Sequence, residues 1–278
     1  MKNILSKAIL LISILIVNLF YTQQFRFYYE LSYKACLTCE DISKEIDVLS
    51  ITQSASVFQS YDQLQKDSIF IDPYDKQRNF GTEVNIDNIM AQNLNHTYII
   101  SKNYKSKEVY YKDIIGNQDS FKYLENEKLV WELVPSKDTI NGYLCQKATT
   151  SFGGRIWNAW FTTDVQFQDG PYKFWGLPGL IVKIGDVDSN YVWNLIGNKT
   201  IKSENAYENN IMEYQGFQSI DLSKDKFVET IKQYQKNPLG NLRSRIGVMD
   251  PHAEKQLREQ EKLLLKDNEK KNNSIEIY

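Results

Sequence analysis

Histidine, cysteine and proline are scarce in this chain of 278 residues, at two, three and six copies. A Ser-His-Asp or Cys-His hydrolase would have to recruit His96 or His252. His96 lies in a polar stretch, and His252 follows Pro251 just ahead of a charged tail. No G-x-S-x-G elbow and no H-E-x-x-H motif occurs. Cys36, Cys39, Cys145 and the two histidines lack the spacing of a standard zinc site, so no metal or cofactor is expected. A charge excess of one sign is also missing, with 33 Lys and Arg against 35 Asp and Glu. That balance excludes the dense basic footprint that nucleic acid demands.

Long apolar runs are absent after the first 22 residues. Lys2 and Lys7 open a segment whose apolar run, residues 8–20, is short for a membrane span and is followed at once by polar sequence. Residues 1–22 are therefore expected to be a cleaved secretory signal, and the remaining chain to carry no transmembrane span. In an oxidising compartment thiols tend to pair, and three is an odd number. Cys36, Cys39 and Cys145 are candidates for one disulfide whose pairing stays open. A redox role for Cys36-Leu-Thr-Cys39 lacks the surrounding βαβ pattern.

What the chain has in quantity is aromatic residues: 18 Tyr, 13 Phe and 5 Trp. These favour strands and line apolar grooves. Alternating or β-prone runs at 24–35, 45–53 and 54–61 predict a three-strand meander, followed by a polar loop region at 62–95 with a short helix near 84–94. Strands resume at 97–101, 108–114, 121–124, 129–134, 143–150, 156–162, 180–184 and 191–196. Their turns are signed by Asn141-Gly142, Gly153-Gly154 and the run 186–190. Ser223 or Asp221 can cap a helix that presents Phe227, Val228, Ile231 and Tyr234 on one face and stops at Pro238 and Gly240. The pattern predicts a mainly β fold, with a strongly bent antiparallel sheet or half-barrel and a few packed helices, over one domain at 23–250. Residues 251–278 read as a charged helix or tail ending in a short strand at 275–278.

One segment stands apart, residues 164–186. Pro178 fixes its own φ and extends Leu177, Gly179 permits a tight turn, and Leu177, Leu180 and Ile181 are too apolar for a free loop. A turn tucked against the core is expected. Gly176, Leu177, Pro178, Gly179, Leu180 and Ile181 spell GLPGLI, which resembles the hallmark of the GLPGLI family of Bacteroidota envelope proteins. The stretch 141–148, Gly154-Arg155, Trp160-Phe161-Thr162, Gly170-Pro171 and Asn272-Asn273-Ser274-Ile275-Glu276 resemble its further elements. The resemblance implies export, a location in the periplasm or at the outer membrane, no established activity, and a place near TonB-dependent transporters.

Arg155, Trp157, Trp160 and Trp175 are candidate ligand or partner contacts. On one strand, Trp157 and Trp160 face opposite sides, so one is expected in the core and the other over a surface. Asp164, Asp169, Asp186 and Asp188 are the carboxylates that a glycosidase-like hydrolase would bring together. The leading expectation is a noncatalytic envelope protein that binds an apolar small molecule or another envelope protein. A carboxylate-dependent hydrolase and a structural subunit of a transporter or secretion assembly are the alternatives.

Overall fold

The computed structural model describes residues 23–71, 96–116, 119–202, 219–246 and 250–278. The leader at 1–22 and the helix expected near 84–94 lie outside these residues. The strands are β1 (Gln23–Tyr33), β2 (Ser43–Ile51), β3 (Ala55–Ser60), β4 (Ile99–Asn103), β5 (Glu108–Ile115) and β6 (Asp119–Leu124). After them come β7 (Glu132–Ile140), β8 (Tyr143–Phe152), β9 (Arg155–Thr162), β10 (Leu180–Asp186), β11 (Tyr191–Lys202) and β12 (Ile220–Asp221). The helices are α1 (Tyr61–Ile71), α2 (Lys224–Lys236), α3 (Gly240–Ile246) and α4 (Pro251–Lys270).

Among the described residues the twelve strands form one open sheet in the order β12-β6-β5-β4-β3-β2-β1-β11-β10-β9-β8-β7. Every neighbouring pair is antiparallel except β12 with β6, so the sheet is mixed rather than purely antiparallel. Tight turns set most of the register. Asn141 and Gly142 have φ of 51° and 83°, and Gly153 and Gly154 have 58° and 76°. Positive φ at both central residues is the geometry that keeps two twisted strands aligned in a two-residue hairpin. β1, at the centre, pairs with β2 beside it in sequence and with the distant β11.

The segment between β9 and β10 is the centre of the core. Tyr172 stacks on Trp193 of β11, at 6.0 Å between ring centroids, and meets Tyr98 edge-on at 5.4 Å. Phe174 packs on Trp157 of β9 at 4.7 Å. Asp169 bonds Ser56 of β3 and Lys102 of β4. One short segment thus touches strands from both wings of the sheet, which requires the sheet to curl around it. The predicted bent half-barrel is what the chain forms, and this segment is its filling.

Several local expectations change. A helix, α1, starts at Tyr61, expected as the end of a strand, and runs into what was expected to be a loop. β7 begins at Glu132 and runs on to Ile140, through a register irregularity between Val134 and Lys137 that brackets Pro135. Proline has no ladder N–H, so an edge strand with a bulge is where it fits. Ser223 caps α2, accepting from Lys226 N at 3.3 Å. Gly240 opens α3 rather than only ending the preceding helix. Asp250 caps α4, with Pro251 in its first turn. No strand forms at 275–278. Those residues instead form a strap over the β8–β9 turn, with Ile277 N donating to Gly153 O at 2.8 Å. The strap fits because a Cβ on Gly153 would stand 2.6 Å from Glu276 Cγ, so only glycine leaves room.

Candidate functional site

Beside the central segment lies a groove of about 1000 Å³. Its aromatic wall is Tyr104 after β4, Trp131 before β7, Phe152, Phe167 and Trp175; Gln53, Gln166 and Gln168 line it as well, with charged residues of both signs, among them Lys107, Glu108, Glu127 and Lys128. Trp131 Nε1 donates to Trp175 O at 2.8 Å, which locks the two tryptophans together. The Phe167 ring lies 5.0 Å from Phe25 and 5.8 Å from Phe27, so it is braced by β1. Gly176, at φ 88°, donates its N–H to Gln168 O and closes the loop that holds Phe167 and Trp175 on one side. Aromatic side chains beside polar and charged groups are the make-up of a groove for an amphipathic ligand.

Two buried ion networks hold this wall. Asp169 accepts from Lys102 Nζ and Tyr104 Oη at 2.6 Å, from Gly170 N at 2.7 Å and from Ser56 Oγ at 2.5 Å. Lys102 also donates to Gly170 O and Phe174 O, so both partners are saturated. Burial pushes the Lys102 ammonium below its ordinary value, against the pull of Asp169. In the second network Lys173 Nζ donates to Tyr123 Oη, Glu125 Oε2 and Glu276 Oε1. The same ammonium faces the Tyr111 and Tyr123 rings at 4.8 Å each. Lys224 of α2 pairs with Glu125 at 2.8 Å and with Glu276 Oε2 at 2.9 Å, the latter as an ion pair without hydrogen-bond alignment. Burial alone would raise the Glu276 carboxyl, yet Lys173 and Lys224 hold it below its ordinary range.

The GLPGLI residues are fold elements of this wall. Leu177, Leu180 and Ile181 are buried, and Pro178 is exposed. Gly179 passes so close to β9 that a Cβ would stand 1.9 Å from Thr162 O. Arg155 is buried and donates to Asp186 Oδ2, Asn273 Oδ1, Ser274 O and Ile275 O, which ties the strap down. Trp157 is fully buried with its Nε1 on Phe152 O, while Trp160 is half-buried. Of the four sequence candidates, Trp175 lines the groove and Arg155, Trp157 and Trp160 do not.

The four aspartates do not converge. Asp169 is paired with Lys102 and Asp186 with Arg155, while Asp164 and Asp188 are exposed. Cys36 and Cys39 are bonded to each other, with no helix after them, and Cys145 is a buried thiol whose proton is held by burial. His252 sits exposed in the first turn of α4. Among the described residues no group of three or more His, Cys, Asp or Glu is arranged to hold a metal ion, and no helix is long and apolar enough to cross a membrane. Sequence reasoning missed Tyr104, Trp131 and Phe167, and the buried lysines Lys102 and Lys173. Trp131 gave no separate signal, since it lies among Leu129, Val130, Leu133 and Val134 inside the strand expected at 129–134.

Residues 154–183 match a family described as "Protein of unknown function (Porph_ging)", a match that covers β9, the central segment and the start of β10. No curated protein sequence matches the chain at a significant level. Two solved structures of PNGF-II, in C2 and P21 space groups, share its fold at TM-scores of 0.54 and 0.53, with 16% and 15% identity. The alignments cover 77% of this chain and 33% and 34% of those chains, so the chain spans about a third of their length. At that identity the likeness is one of fold alone.

Proposed function

We propose that the chain is a noncatalytic binding protein of a bacterial cell envelope, and that it holds an apolar or amphipathic molecule in the groove walled by Tyr104, Trp131, Phe167 and Trp175. The observation that carries this reading is the groove itself: about 1000 Å³, aromatic on one side, beside ion networks that are internally paired. Charges so engaged hold a wall rigid and are not themselves poised for acid–base work. Export to the periplasm or outer membrane and service beside an outer-membrane transporter belong to the same proposal. The leader-like residues 1–22 and the Cys36–Cys39 disulfide support it.

A docking reading has one observation in its favour. Leu133, Leu144 and Ile156, on three adjacent strands at the β7 edge, are 53%, 60% and 53% exposed. Native mass spectrometry of the protein gently released from its own envelope separates the two. Extra mass of a small amphipathic molecule, lost in Trp131→Ala/Trp175→Ala, supports the groove. A bound protein lost on Leu144→Asp supports docking, and a bare monomer in every preparation contradicts both.

A further inference from the structure

A second cavity, of about 430 Å³, lies between the strap, α2 and the inner face of β1, β2 and β5. Tyrosines dominate its wall. Tyr33 and Tyr191 stack at 5.8 Å, and Tyr98 stacks on His96 at 4.1 Å with the rings 11° apart. Most of the wall's hydrogen bonds are internal. Tyr33 Oη donates to Glu45 Oε1, Tyr111 Oη to Asp113 Oδ2, Tyr172 Oη to Glu276 Oε1 and Tyr191 Oη to Asn273 O.

Two atoms break this pattern. His96 Nε2 faces Asp47 Oδ1 at 2.9 Å and Glu45 Oε2 at 3.1 Å. Two carboxylates on one nitrogen require that nitrogen to carry the hydrogen. His96 Nδ1 then has no partner among the described residues, and neither has Tyr98 Oη. Tyr98 is only 5% exposed. Shielded polar atoms without partners are rare in folded proteins and expensive, and they gather where a ligand completes them.

The geometry points to a second binding site here, for an uncharged ring of one or two cycles whose polar groups pair with His96 Nδ1 and Tyr98 Oη; with the hydrogen on Nε2, Nδ1 accepts from a ligand hydroxyl or amide N–H. The volume lies at the lower end of the roughly 300–1000 Å³ of ligand pockets. Stacked tyrosines favour a ring that presents a flat apolar face. Charges of both signs stand about the cavity: Glu45 and Asp47 face His96, Glu276 faces Lys173 and Lys224, and Asp113, Lys232 and Lys271 complete the wall, so a neutral ligand fits better than an ion of either sign. Two sources meet this chemistry, a neutral sugar ring or a planar ring bearing an amide. The site is separate from the groove at Trp175 and does not depend on what that groove holds.

The test is saturation-transfer NMR of the purified protein with glucose and N-acetylglucosamine as the sugar arm and benzamide as the planar arm. Tyr98→Phe is the variant, since it removes only an oxygen without a partner and leaves the ring in place. Binding of at least one probe, weakened tenfold or more in Tyr98→Phe while the melting temperature stays level or rises, is the expected result; the arm that binds names the source. Absence of transfer from the wild type to all three probes means the cavity holds only water and overturns the site. Equal affinity in wild type and Tyr98→Phe overturns it as well.

Discussion

The core around residues 169–174 and the cavity around His96 use the same materials, namely carboxylates, a cation and tyrosine rings, to opposite ends. At Asp169 and Lys102 every lone pair and proton has a partner, and at Lys173 three acceptors surround one ammonium. Glu276 Oε2, without a hydrogen bond, still faces Lys224 at 2.9 Å, whereas His96 Nδ1 and Tyr98 Oη have neither a hydrogen bond nor a counter-charge among the described residues. Saturated polar networks hold a wall in one arrangement, whereas unsaturated ones are costly to folding and are retained where a ligand needs them. The difference separates the part of the molecule that makes the fold from the part that receives something.

The sharpest way to break the comparison is to strand a charge in the saturated region. Lys102→Met leaves Asp169 buried with its counterion gone, and should cost about 3–5 kcal/mol in urea unfolding. Gly179→Ala comes next. Its Cβ would meet Thr162 O at 1.9 Å, so β9 and the loop must part, for about 1–3 kcal/mol by the same measurement.

A pH series probes both regions without mutation. Glu125 and Glu276 are held below their ordinary value of 4.5, chiefly by Lys173 and Lys224 against burial. A depressed carboxyl contributes stability that is full above 4.5 and is lost as pH falls through the folded values, so the strap and α2 should loosen first in acid. Burial lowers His96, but Asp47, Glu45 and Asp113 outweigh it and raise the net value above 6.5. That contribution is full below 6.5 and is lost as pH rises through the folded value. The expected readout is hydrogen exchange at 273–278 rising on acidification, and at 96–98 rising in mild alkali. Trp175→Ala should shift stability by about 1 kcal/mol or less, because the ring is only half-buried, while abolishing ligand retention in the groove.

Much of the sheet was legible because its signals are local. Asn141-Gly142 and Gly153-Gly154 each demand positive φ at two adjacent residues, and the meander 24–61 alternates as a strand should. The pairing of β1 with β11 was not legible, since nothing local in either strand names a partner so distant in sequence. Nothing local in the sequence marks Lys102 or Lys173 as buried, because their counterions come from other elements. The terminal Ile275–Tyr278 has strand-like alternation, yet Arg155 and Gly153 take up its backbone groups before any strand can. His96 read as a loop residue because Glu45, Asp47 and Tyr98 surround it only after the sheet forms. Of the groove, Trp175 was legible from its place before the GLPGLI turn, and Trp131 was not.

The most direct measurement is urea unfolding of Tyr98→Phe beside Lys102→Met, without added ligand. Tyr98→Phe should match or exceed the wild type, since its hydroxyl bonds none of the described residues, while Lys102→Met falls by about 3 kcal/mol or more. A loss above about 1 kcal/mol in Tyr98→Phe would mean that the hydroxyl is a structural partner like the others, and would contradict the distinction between the two regions.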